Sequence, residues 1–183
     1  QERAIKAADK GKDLLRKKLG EIEETLRNLN KQEEKKKKEL EDKFKERYGF
    51  SIADARRIVG EIGNNISKGI ELTKEEMFRY DRALRLLREY EVELKTLENE
   101  YTRRKLQFLR ENVPRAQSEV ESYIIKAHRL TSEEAIEYVR AVLAAIANNF
   151  LMRKEKEILK RSGAEEIETE EATVKGLWFG RIS

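Results

Sequence analysis

The chain has no cysteine, and only one histidine, one proline and one tryptophan among its 183 residues. Without cysteine there is no disulfide, no thiolate nucleophile and no thiolate-ligated metal site. The lone histidine, His128, stands near an expected helix end, where a surface or C-terminal capping role is the plain reading. No Glu-x-x-His pair occurs, which removes the carboxylate-bridged metal bundle that an all-helical chain otherwise invites. A P-loop, a dinucleotide-binding glycine pattern and a Gly-x-Ser-x-Gly elbow are missing as well. The expectation is a protein that is not an enzyme and holds neither a cofactor nor a metal. No run approaches the ~20 apolar residues of a membrane span, and no signal-like apolar stretch opens the sequence. Those two absences point to a cytoplasmic or virion-internal setting, although a start at Gln1 rather than Met leaves room for a removed leader.

Charge is what the sequence has in abundance. Charged residues make up 42% and hydrophobic residues 38%, a balance that suits long solvated helices packed along narrow apolar stripes. Many charged pairs, with one proline, two methionines and no cysteine, suggest a thermophilic source. Net charge is only +4, so bulk attraction to a polyanion is weak. The last twenty residues hold two basic and five acidic side chains, a net of −3, which leaves the body at +7 (4 + 3).

Ile5, Ala8, Lys12, Leu15, Leu19, Ile22, Leu26 and Leu29 recur at spacings of three and four. This heptad seam predicts one helix from residue 2 to about 48. Its later part, KQEEKKKKELEDK, is carried by Glu-before-Lys pairs four residues apart rather than by apolar residues. The KKKK run at 35–38 therefore reads as a solvated helix face before it reads as a phosphate contact. Gly49 supplies the helix stop. Ser51 with Asp54 then opens a short helix, SIADARRIVGEIG, closed by NNISKG. Thr73 with Glu76 opens a second long helix to about Asn112, with Tyr80, Leu87, Leu94, Tyr101 and Phe108 seven residues apart. Folding the two long helices antiparallel puts Phe44 opposite Met77, Leu15 near Leu106 and Ala8 near Val113.

Pro114 ends that helix, since it lacks an N–H and disfavours helix in the residue before it. A separate helix from Arg115 to about His128 follows. Thr131 with Glu134 opens a last one, running to Arg161 ahead of Ser162-Gly163. Its centre, AIEYVRAVLAAIANNFLM, is the most apolar stretch of the chain and is expected to be buried within the chain or against another subunit. The predicted fold is all-α. Residues 1–114 form a long antiparallel coiled-coil hairpin with a tip at 49–72, residues 115–163 a helical pair at its base, and residues 164–183 an acidic, aromatic tail of irregular or β-like form.

Two functional readings follow. The first is a structural or assembly subunit with protein partners, either a homo-oligomer or part of a larger assembly. Leu177, Trp178 and Phe179 lie between two glycines. They either fold back onto the bundle as an edge strand or staple, or form its candidate contact peptide on a neighbour, tryptophan being a favoured interface anchor. The second is a nucleic-acid-binding subunit whose phosphate contacts are Lys12, Arg16, Lys17, Lys18, Arg56, Arg57, Arg103, Arg104 and Lys105. The predicted register brings the first and third of these basic clusters together. Acidic residues interrupt every one of them, and no base-reading motif is present.

Overall fold

The computed structural model describes residues 2–163, and these form four helices with no strand among them. They are α1 (Glu2–Tyr48), α2 (Ile52–Ser67), α3 (Lys74–Ala127) and α4 (Glu133–Ser162). The all-α class is as expected. The expected tail at 164–183 lies outside the described residues.

Local chemistry sets most of the helix ends. Gly49 takes a left-handed φ of 84° and its N–H donates to the Lys45 carbonyl at 2.8 Å, closing α1. The Ser51 hydroxyl accepts the Asp54 N–H at 3.1 Å. Thr73 and Glu76 form a reciprocal box, with bonds of 2.9 and 3.1 Å. Three boundaries differ from expectation. NNIS continues α2 instead of closing it, and the turn comes at Gly69. Ser132 rather than Thr131 caps α4, accepting the Ala135 N–H at 3.4 Å. Pro114 also does not end its helix, because α3 runs through it to Ala127. Leu109, Val113, Ala116, Val120 and Ile124 are all buried, and this unbroken stripe holds the helix together across the one missing N–H.

The chain divides into two compact units, one of residues up to Leu29 with those from Thr102 onward, the other of Asn30–Tyr101. This partition cuts across the long helices rather than falling near residue 114.

In the first unit, α1, α3 and α4 share a core of Leu15, Leu19, Ile22, Leu109, Val113, Val120, Ile124, Val139 and Leu143. Gly11 is part of that packing. A methyl group placed on it would lie 3.2 Å from Leu143 and 3.4 Å from Ile124, so its lack of a side chain allows α1 and α4 to approach. Lys18 donates to Glu119 at 3.2 Å, and Arg110 of α3 pairs with Glu155 of α4.

In the second unit, α2 packs its Ile52, Ala55, Ile58 and Ile62 face with Phe44 and Tyr48 of α1 and Ala83, Leu86 and Tyr90 of α3. Phe44 stacks on Tyr48 at 6.2 Å and meets Tyr90 edge-on at 5.8 Å. Arg82 donates to the carbonyls of Tyr48 and Arg47 at 3.1 and 3.3 Å, satisfying the open end of α1. Lys37 pairs with Glu98, Lys43 with Glu93 and Arg47 with Glu89.

These pairs correct the expected register. Lys43 meets Glu93 where the expected alignment puts Phe78, a shift of fifteen residues (93 − 78). Met77, expected opposite Phe44, is 50% exposed rather than in the seam. Ile5 is likewise 49% exposed, and Ala4 and Ala7 take the buried positions instead.

Candidate protein-docking surface

The middle of helix α4 is largely apolar, and the described residues cover only one side of it. Val139, Leu143, Ala147, Phe150, Lys154 and Ile158 are buried at spacings of three and four. Tyr138, Ala141, Ala145 and Met152 are exposed, and at 100° per residue they fall within about 60° of one another on the opposite side. Met152 is 67% and Tyr138 45% exposed. Of its central alanines, Ala147 is buried and Ala144 half-buried, whereas Ala141 and Ala145 face outward. The expectation of a buried helix is thus met on one face only. By length and composition α4 is the one described helix apolar enough to cross a membrane, but Glu137 and Arg140 lie within its apolar stretch and its inner side is core of the first unit.

At the N-terminal end of this face, Ala4 and Ile5 of α1 and Ala135 and Tyr138 of α4 line a cleft of about 360 Å³, with Ser132 and Glu134 at its edge. At the other end the exposed residues are mostly basic, with Lys156, Lys160 and Arg153, the last paired with exposed Glu157. The inner side carries its own cation. Lys154 is buried and binds Glu23 of α1 and Glu157, with Phe150 at 5.8 Å. Its hydrogen bond to Glu23, more than any other neighbour, draws that carboxyl below its ordinary pKa, against an opposing effect of burial.

The proposed phosphate contacts are placed apart. Lys18 meets Glu119, fourteen residues beyond Lys105 (119 − 105), which is about 21 Å along α3. The cluster at Lys12, Arg16, Lys17 and Lys18 therefore does not join Arg103, Arg104 and Lys105. Lys105 is 2% exposed and engaged within the protein, Arg104 also has a partner, and Lys12 lies 3.7 Å from Asp9. Arg16, Lys17 and Arg103 are exposed. In the second unit Arg56 is exposed and Arg57 is paired with Asp54 and Glu61. Within the KKKK run, Lys36 pairs with Glu39 and Lys37 with Glu33 and Glu98. Leu177, Trp178 and Phe179 lie outside the described residues. No group of three or more His, Asp or Glu side chains suited to a metal occurs among the described residues.

Which side of α4 stays open was not legible, because apolar residues recur on all sides of its middle and leave no clear period to tell a covered side from an open one. The signal available was the run of small residues with two adjacent asparagines, Asn148 and Asn149, in an otherwise apolar stretch. No protein-family model, curated protein or solved structure matches the chain.

Proposed function

We propose that the protein is a non-catalytic structural or assembly subunit that associates through the outer face of α4, in the first place with a second copy of itself. One observation carries this reading: an exposed stripe of Tyr138, Ala141, Ala145 and Met152 opposite a fully packed one. Apolar surface left open and edged by charge is the usual mark of a protein-contact site, and small residues at its centre allow a partner helix to approach closely. The long antiparallel coiled-coil hairpin belongs to the same proposal, supported by the α1–α3 pairs Lys18–Glu119 in one unit and Lys43–Glu93 in the other. Light scattering across a concentration series tests the association. The expected result is a dimer or larger species that Ala145→Glu and Met152→Glu return to monomer with helix content intact. A strict monomer at every concentration, with no protein bound through this face, would end the reading.

A nucleic-acid-binding subunit is the weaker proposal. Exposed Arg16, Lys17 and Arg103 support it, but with the clusters apart each meets phosphate alone. Salt-sensitive binding of DNA or RNA, lost on charge reversal of Arg16 and Lys17, is its test.

A further inference from the structure

We infer that the C-terminal segment of the chain folds back along the outer face of its own α4 and seats Trp178, with its neighbours Leu177 and Phe179, in the cleft lined by Ala4, Ile5, Ala135 and Tyr138. The segment and a second copy compete for this face, so the inference makes the segment a cover that association has to displace. It rests on the assembly reading only for the peptide's docking role.

Three observations carry it. The first is reach. Helix α4 ends at Ser162, with Gly163 turned into the left-handed region at φ 74°. Trp178 stands fifteen residues beyond that glycine (178 − 163), a span of up to about 50 Å. Tyr138 stands twenty-four residues before Ser162 (162 − 138), about 36 Å back along the helix. The segment therefore reaches the cleft with slack for an uneven path.

The second is charge order. Leaving Gly163, the segment first presents Glu165, Glu166, Glu168, Glu170 and Glu171, and only afterwards Lys175 and Arg181. Traced backwards from the same point, the outer side of α4 first presents Lys160 and Lys156, then Arg153 paired with Glu157, and at its far end Glu134 beside the cleft. An antiparallel path thus sets acid against base at the start and base against acid at the end. Lys156 falls within about 40° of Met152, Ala145 and Tyr138 on the helix circumference, so the basic end and the apolar stripe form one track.

The third is the match of the cleft to its occupant. A cleft of about 360 Å³ with a half-exposed isoleucine and a half-exposed tyrosine as walls is open to aromatic side chains. The segment supplies three large apolar residues in a row and the chain's sole tryptophan.

That sole tryptophan makes the test direct, because all tryptophan emission of this 183-residue chain comes from position 178. The expected result is blue-shifted emission and several-fold weaker acrylamide quenching than in urea, both independent of protein concentration. Ile5→Lys, a change at an exposed residue, should return emission and quenching to the values in urea, with helix content by circular dichroism unchanged. Lys156→Glu with Lys160→Glu should move them part of the way. Native emission equal to that in urea overturns the inference. So does a blue shift that appears only as concentration rises, which would place the segment on another copy, and so does one that survives Ile5→Lys, which would seat Trp178 elsewhere. Light scattering on the same samples keeps the two readings separate. Ala145→Glu and Met152→Glu lie on the stripe that both readings use, whereas Ile5→Lys lies off it and bears on the cleft alone. Scattering reads association and emission reads the seat, so either reading can fail alone.

Discussion

Lys154 of α4 and Glu23 of α1 form an ion pair in which the lysine side chain is 11% and the glutamate 35% exposed. The lysine stem also packs at Phe150, so the residue fastens α4 by charge and by contact together. Lys154→Ala should cost about 1–2 kcal/mol, between the values of exposed and buried pairs. The lysine's hydrogen bond lowers the Glu23 pKa from 4.5. The unfolded chain binds that proton first as pH falls, so the pair's contribution is whole above 4.5 and is lost as pH drops through the lower folded-state value. Urea unfolding near neutrality and well below 4.5 checks this, since the gap between wild type and Lys154→Ala should narrow in acid to the part that the stem's contact supplies.

The second unit has an alkaline limit. Burial first, and then their acceptors Glu89 and Glu41, raise the Tyr48 and Tyr90 hydroxyls above 10.0. Folding therefore favours the protonated phenols, and their contribution is full below pH 10 and lost as pH rises through the higher folded-state values. Spectrophotometric titration should show two of the six tyrosines ionising late. Tyr48→Phe, which keeps the ring stacked on Phe44 and deletes the 2.6 Å bond to Glu89, should cost about 1 kcal/mol by urea unfolding.

Two glycines inside α1 should respond in opposite ways. Nothing lies within 4 Å of a methyl group placed on Gly20, so Gly20→Ala should stabilise the protein by about 1 kcal/mol through helix propensity. At Gly11 the same methyl meets Leu143 at 3.2 Å, so Gly11→Ala should gain less. Gly11→Val should overpack the contact and lose about 1–3 kcal/mol. Thermal midpoints of the three variants settle the order.

Pro114 should be a place where a single change strengthens α3. The residue is exposed, and its missing N–H leaves the Arg110 carbonyl without the usual helical donor. Pro114→Ala should raise stability by about 2 kcal/mol, the helix gain being partly offset by a freer unfolded chain. The denaturant midpoint is the measurement.

How much of this was legible depended on how local the cause was. Gly49, Ser51, Thr73 with Glu76 and Gly163 mark helix ends through bonds to residues three or four away, and a linear reading finds such bonds. Register was not legible. A seam that repeats every seven residues matches itself almost as well when slid by two heptads, and the observed shift of fifteen is close to that. What decides it is the packing of Ile52, Ala55 and Ile58 on Ala83 and Leu86, a contact between helices that no spacing within one helix reveals. Pro114 misled for the reverse reason, since a local rule gave way to the long stripe through Val113 and Ala116. For the candidate site, the exposed arginines and lysines were visible as residues, but the burial of Lys105 and the separation of its cluster from Lys18 depended on that same register.

The division of the chain into Asn30–Tyr101 and its two flanks also fixes an order of events at the ribosome. The middle segment is continuous, so its core of Phe44, Tyr48, Ile58 and Leu86 is complete once residue 101 has emerged. Leu15, Leu19 and Ile22 are made earlier but have no covering side chains until Leu109, Val120 and Leu143 are synthesised. These α1 side chains are thus made before the residues that shield them, and during that interval the apolar stripe of α1 is an exposed point of the nascent chain for a chaperone or for misassociation.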